Sequence, residues 1–376
     1  MLSYHISLKN GRVFYVKLTY FLHILLLNLK DITTFPFLQR ILISEIIFQE
    51  EIEMCTAVSF LCNDHYFGRN LDLEYCYRES VTITPRNYPF AFRNGLNITS
   101  HPAMIGVATV ADGYPLYYDA SNEAGLSMAG LNFPGNAHYS QPKNAKNSIA
   151  PFELIPWVLS QCNCTNEAKT LLENTRIDAI AFSEQYALSD LHWIVSDANK
   201  SITVEPRKTG ICITENPVGV LTNNPPFEYH MQNLCNYMHL TNTEPENKLS
   251  KQLSLRPYSR GMGAMGLPGD LSSASRFVRA CFTKLYSVTP QNEENAVTQF
   301  FHILGSVEQQ DGCVKVNGKY EKTVYSSCCN TSKGIYYYTT YENRQITGVH
   351  LFRENLNTND LISYPLLRCP QIRIEN

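Results

Sequence analysis

The chain has 376 residues, of which 44% are apolar and 17% charged, and its formal net charge is -3. Such a composition supplies a hydrophobic core and belongs to a globular protein. So small a charge, with no basic stripe and no acidic tail, excludes nucleic acid or an acidic surface as an electrostatic partner.

Residues 1–54 differ in composition from the rest of the chain. They are rich in Leu, Ile and Phe, and the apolar run Tyr20–Leu29 comes after Lys9, Arg12 and Lys17. That run is shorter than the roughly twenty residues that cross a bilayer, and no small-x-small cleavage site follows it. Gln49-Glu50-Glu51 can be encoded by a purine-rich ribosome-binding sequence shortly before Met54. The expectation is an extension outside the mature protein, a mis-assigned start or a leader, with no stable membrane insertion. Residues 55–376 show neither an internal repeat nor a dividing linker, and a single domain is expected there.

Cys55 follows Met54 directly and opens Cys55-Thr56-Ala57-Val58-Ser59-Phe60. In a chain beginning at this cysteine, one residue carries a thiol nucleophile and a free α-amino group. An α-amino group has a pKa of roughly 7.7–8.0, against about 10.4 for lysine, and accepts a proton near neutral pH. The thiol then needs no histidine to activate it. The plain alternative is a buried thiol at the head of a strand, a common setting for cysteine.

Strand patterns lie at 55–60, 65–70, 80–84, 104–110, 115–120 and 126–131, separated by Asn, Asp, Gly and Pro. Two helices come next, one with Pro151 in its first turn and one with Thr165 as its cap. Strand patterns return at 186–196, 201–205 and 211–214, and helical ones occupy 227–240, 272–286 and 292–304. The last strands are predicted at 322–328, 335–341 and 346–353. Strands in blocks and helices in blocks predict an α+β fold of packed sheets covered by helices, not a regularly alternating parallel sheet.

Twelve cysteines are scattered with no Cys-x-x-Cys pair, which argues against structural zinc and fits a reducing compartment such as the cytoplasm. Gly261-Met262-Gly263-Ala264-Met265-Gly266 spells a dinucleotide fingerprint. The fingerprint needs a strand before it and a helix after it. Here Pro257 precedes it and Pro268-Gly269 comes after it, so a surface loop is expected, and neither cofactor nor metal.

Acyl-bond cleavage requires a nucleophile, a base, oxyanion donors and a means of holding them. Gly68-Arg69-Asn70-Leu71-Asp72 supplies an arginine and an aspartate three apart. On a continuing strand they point to opposite faces, so a turn near Asn70 is needed to bring both to one site. The alternative is a surface ion pair. Asn132, in Gly130-Leu131-Asn132-Phe133-Pro134-Gly135-Asn136, and the pair Asn223-Asn224 before Pro225 lie in polar breaks. Their side chains are neutral donors, although asparagine in turns often serves the backbone. Ser272-Ser273-Ala274-Ser275-Arg276 begins a helix with serine capping.

These segments together resemble the choloylglycine hydrolase family. The resemblance is carried by Met54-Cys55-Thr56-Ala57, Asp64–Asp72, Val81–Pro89, Ala129–Asn136 and Leu221–Pro225, with Tyr325–Asn330 and Gly334–Tyr338 further on, and it covers essentially all of residues 54–376. It implies an N-terminal-nucleophile αββα sandwich of two antiparallel sheets covered by helices. It further implies hydrolysis of glycine- or taurine-conjugated bile salts through a thioester on Cys55. Carried onto this chain, Asp72 holds the amine, Arg69 favours the thiolate, Asn132 and Asn223 form the oxyanion hole with donors on the Cys55 side, and Arg276 orders the site. Asn224 is the competing assignment for Asn223, and Leu71 resembles an acyl-pocket wall. A homotetramer is also implied.

Two other functions stay open. One is penicillin V acylase activity within the same family, although Asn132 resembles the bile-salt branch, where the acylase branch carries tyrosine. The other is a non-catalytic, membrane-proximal binder of amphipathic ligands, should the extension be retained.

Overall fold

The computed structural model describes residues 54–143 and 145–376. The expected extension therefore lies, but for Met54, outside the described residues. Strands β1 (Met54–Leu61), β2 (His65–Leu73) and β3 (Ser80–Thr84) precede a small hairpin, β4 (Phe90–Ala91) and β5 (Asn97–Ile98). Next come β6 (Met104–Ala111), β7 (Tyr114–Asn122), β8 (Ser127–Asn132) and β9 (Ser148–Ile149). Helices α1 (Leu154–Leu159) and α2 (Thr165–Glu173) lead to β10 (Arg176–Ile177), β11 (Leu191–Ser196), β12 (Ser201–Arg207), β13 (Gly210–Glu215) and β14 (Val220–Leu221). Helices α3 (Phe227–Leu234), α4 (Ser273–Leu285) and α5 (Glu293–Gly305) precede the closing strands β15 (Val314–Val316), β16 (Lys319–Asn330), β17 (Ile335–Thr340), β18 (Thr347–His350) and β19 (Ile362–Pro365).

One sheet has seven strands in the order β14-β1-β2-β16-β17-β18, with β15 paired to β16, and the other has eight in the order β13-β12-β11-β8-β7-β6-β3-β19. All pairings within both sheets are antiparallel. Helices α4 and α5 pack on the first sheet, α1 and α2 on the second, and β1 and β2 meet β8 between the sheets. The result is the four-layer αββα sandwich that the sequence led us to expect.

With helices over one face and a second sheet over the other, β1 and β2 have no solvent side. All nine residues of β2 are buried, His65, Arg69, Asn70 and Asp72 included. Polar groups held in such a strand must find partners inside the protein, and those partners define the site.

The elements differ from expectation at several ends. Thr165 is the first residue of α2, not its cap; Cys164 holds the cap position, and the Asp197 carboxylate accepts the Thr165 N–H at 2.7 Å. Ser272 does cap α4, its hydroxyl accepting the Ser275 N–H at 3.4 Å. The strand predicted at 346–353 stops at His350 and continues as a 3-10 turn, Leu351–Arg353. The glycine-rich run forms one 3-10 turn, Met262–Ala264, with no strand before it, and the next helix begins only at Ser273.

Candidate active site

Cys55 is the second residue of β1 and is buried, 1% exposed. On one side its strand pairs with β14, in the register Ala57 with Leu221. Two residues back along β1 and two forward past β14, that register brings Asn223 opposite Cys55. The Cys55 N–H donates to Asn223 Oδ1 at 2.8 Å. On the other side β1 pairs with β2, placing Leu71 opposite Cys55 and Asp72 opposite Met54.

The turn expected near Asn70 does not form, because β2 continues without interruption to Leu73. Nor are Arg69 and Asp72 a surface pair, since both are fully buried. Strand alternation sends them to opposite faces. Arg69 shares the face of Leu71 and points between the sheets, where its Nη1 donates to the carbonyls of Tyr118, at 2.9 Å, and Gly130. Asp72 shares the helix-covered face with Asn70, whose amide donates to the Leu304 carbonyl of α5 at 3.0 Å. Both faces border the start of β1, where Leu71, on the Arg69 face, stands opposite Cys55 and Asp72 stands opposite Met54. The Cys55 side chain lies on the Arg69 face, while its backbone nitrogen lies in the plane of the sheet and is open to both faces.

Arg276, in the first turn of α4, ties these parts together. Its Nη1 donates to the Cys55 carbonyl and, at 2.7 Å, to Thr56 Oγ1; its Nη2 donates to Asn223 Oδ1 at 2.7 Å; its Nε donates to the Leu271 carbonyl at 3.0 Å. Asn223 is held from every side. Its backbone N–H donates to Ser273 Oγ at 2.9 Å, its carbonyl accepts from His230, and its Nδ2 donates to the Asn132 carbonyl at 2.8 Å. Asn132, the last residue of β8, is buried there. Asn224 is directed elsewhere, its amide donating to the Pro134 carbonyl at 2.7 Å. Leu71 is buried beside Cys55 in the core between the sheets.

The electrostatics derive from burial. Removal from water opposes the Arg69 charge, but Cys55, Tyr325, Asp119 and Asp72 around it outweigh that cost and hold its pKa above the usual arginine value. Its Nη2 is buried without a hydrogen-bond partner among the described residues. Burial pushes the Asp72 carboxyl up to about 6, against the pull of Arg276, Thr323 and Arg69. Burial draws the pKa of Arg276 down, countered by Asp72, Cys55 and Glu321. Two guanidinium groups near a thiol favour its thiolate form, and both Arg69 and Arg276 lie close enough to Cys55 to interact with it electrostatically.

Several contributors escaped the sequence reading. Thr323 Oγ1 donates to Asp72 Oδ1 at 2.6 Å and Gln309 Nε2 to Asp72 Oδ2 at 3.4 Å. Behind Arg69, the Asp119 carboxylate accepts from the hydroxyls of Tyr325 at 2.7 Å and Tyr336 at 2.6 Å. Glu321 accepts the Met54 N–H at 2.9 Å. The only signal for Glu321 and Thr323 is their odd-numbered alternation in Lys319-Tyr320-Glu321-Lys322-Thr323, which reads as a solvent face until helices cover it. Among the described residues no cluster of three or more His, Cys, Asp or Glu is placed to hold a metal. An open cleft of about 340 Å³ is lined by Phe133, the residue after Asn132, and by Asn136, His138, Arg207, Lys208 and Pro226.

Residues 55–364 match the model of the linear amide C–N hydrolases, choloylglycine hydrolase family. A bile salt hydrolase/transferase of Lactiplantibacillus plantarum is 55% identical over 314 residues, covering 83% of this chain and 97% of that protein. One from Clostridium perfringens is 39% identical, covering 83% and 96%. Among solved structures, a mutant of the conjugated bile acid hydrolase from Clostridium perfringens superposes with a TM-score of 0.79 at 36% identity, covering 86% of this chain and all of that one. Penicillin V acylase from Agrobacterium tumefaciens, with a TM-score of 0.65 at 18% identity over 82% of this chain and 90% of its own, shares the fold. With a buried cysteine at the head of β1 and a family match over most of its length, the chain belongs to the choloylglycine hydrolase family of linear amide C–N hydrolases.

Proposed function

We propose that the protein hydrolyses the amide bond of glycine- or taurine-conjugated bile salts, with Cys55 as amino-terminal nucleophile once residues 1–54 are gone. The observation that carries this reading is the seat of Cys55. Its nitrogen lies 2.8 Å from Asn223 Oδ1, its carbonyl is fixed by Arg276, and the Arg69 and Asp72 faces of the sheet meet at its position. The match to the family model begins at this same cysteine, and the relatives named for bile salts lend the substrate class.

In this scheme the α-amino group of Cys55 takes the thiol proton, and the sulfur attacks the amide carbonyl carbon. The carbonyl π electrons move onto oxygen, which the side-chain amides of Asn132 and Asn223 stabilise. When the oxyanion collapses, the C–N bond breaks, the α-ammonium returns its proton to the departing nitrogen, and glycine or taurine leaves. Water, deprotonated by the same amine, then cleaves the thioester and restores the thiol. Asp72 holds the amine, Arg69 and Arg276 favour the thiolate, and Leu71 lines the acyl side. If an amine attacks the thioester in place of water, a new amide forms, in keeping with the transferase half of the relatives' names.

None of the twelve cysteines, all among the described residues, is in a disulfide, which supports a reducing compartment, the cytoplasm, as the place of action. Among the described residues no helix is long and apolar enough to cross a membrane. The test is a comparison of kcat/KM on glycocholate, taurocholate and penicillin V. Preference for the conjugated bile salts is expected, and a preference for the penicillin overturns the assignment.

A further inference from the structure

Two carboxyl groups converge on the residue before the nucleophile. Asp72 stands opposite Met54 in the pairing of β1 with β2, and Glu321, on β16, accepts the Met54 N–H at 2.9 Å through Oε1. Both side chains are fully buried. They are unequally provided for. Asp72 receives hydrogen bonds from Thr323 and Gln309. Glu321 Oε2 has no partner among the described residues. Where two buried carboxyls feel each other's charge, the one with fewer donors is the more readily protonated. Burial, then Asp72, push the Glu321 carboxyl up to about 9, with Glu74 acting the same way and the Met54 N–H and Arg276 pulling against them.

We propose that Glu321 is a positioning residue for the amino terminus, an uncharged carboxyl that holds the Cys55 α-amino group through one water molecule seated where the Met54 nitrogen lies. The inference rests on Cys55 being the mature first residue, as proposed above. Consecutive backbone nitrogens on an extended strand lie about 3.5 Å apart. A water at the Met54 nitrogen therefore stands 2.9 Å from Glu321 Oε1 and, after a small shift, within hydrogen-bond reach of the new terminal amine. The site is polar and the departing residue makes the room, which are the conditions for a buried water.

The uncharged state matters for the chemistry. The amine must be neutral to take the thiol proton, and a second anion beside Asp72 would favour the ammonium form. An uncharged Glu321 both accepts and donates a hydrogen bond without adding charge, so it orients the base and leaves its basicity alone.

The test compares two variants of the chain beginning at Cys55, assayed on glycocholate. Glu321→Ala is expected to lower kcat by about tenfold or more with KM within about twofold, since Glu321 orients the base and does not touch the substrate. Glu321→Gln keeps the shape and the neutral charge, so it should restore most of kcat and leave the acid limb of the kcat/KM profile in place. An ionised Glu321 predicts the opposite, an acid limb moved to lower pH in Glu321→Gln because an anion beside the amine is lost. That shift, or an unchanged kcat in Glu321→Ala, overturns the inference; should Glu321→Ala fail to fold, the position of the limb in Glu321→Gln decides. Failure of the substrate assignment shows itself separately, as a wild-type enzyme inactive on glycocholate.

Discussion

In the proposed mechanism one atom at position 55 separates a working nucleophile from an idle one. A hydroxyl ionises far less readily than a thiol, and an α-amino group with a pKa of roughly 7.7–8.0 is too weak a base to make up the difference. Cys55→Ser, nearly isosteric in a fully packed seat, is therefore expected to keep its melting temperature while losing more than about 100-fold in turnover of glycocholate. Turnover near the wild-type rate in that variant rules out thiolate attack. At this scale the family resemblance, not any local pattern, singles out Cys55, Arg69, Asp72, Asn132, Asn223 and Arg276, and the structure brings them together around the start of β1. The illegible part comes from far along the chain. Thr323 and Gln309 support Asp72 from more than two hundred positions away, and nothing local in Lys322-Thr323-Val324 announces a partner in β2.

The pairing of β2 with β16 sets how these residues meet, and it depends on one glycine. A Cβ on Gly68 would lie 1.9 Å from the Ser327 carbonyl oxygen and 2.9 Å from the Cys328 Cα, backbone atoms that cannot swing aside. Next to it the Arg69 N–H donates to Ser327 Oγ at 3.1 Å, so pushing the strands apart displaces Arg69 as well. Overpacking of this kind costs roughly 1–3 kcal/mol and at times more. Gly68→Ala should accordingly lower the melting temperature by several degrees and reduce turnover; a variant as stable as the parent would mean that β2 and β16 sit farther apart than their hydrogen bonds require. The blocks of strands and helices were readable from periodicity because each long element carries its own signal. The turn expected at Asn70 is absent, since β2 runs on to Leu73; residues on both faces of a strand can gather at the end of its neighbour, an arrangement that side-chain alternation alone does not announce. Short strands such as β14 have too few residues to show a pattern, yet β14 carries Asn223 to Cys55.

The whole chain poses a question that no single element answers, because the proposed nucleophile is internal as long as Met54 precedes it. The Cys55 nitrogen is then an amide, whose lone pair is delocalised into the peptide bond and cannot serve as a base. The seat itself is already formed in this state: the Cys55 N–H bonds to Asn223, Arg276 grips the Cys55 carbonyl, and Glu321 holds the Met54 N–H. Removal of the preceding residues therefore changes the chemistry of one nitrogen without requiring the sheet to refold. A chain started at Met54 and trimmed to Cys55 should turn over glycocholate, while the uncut chain of 376 residues should show less than about 1% of that rate, with both forms melting as cooperative units. Intact-mass measurement on each sample identifies the first residue, and alkylation of Cys55 in the uncut form shows whether its thiol is accessible without the amine. If the intact chain, its mass verified after the assay, hydrolyses glycocholate as fast as the trimmed one, the base is some other group, and the assignment of the α-amino nitrogen falls while that of the thiol survives.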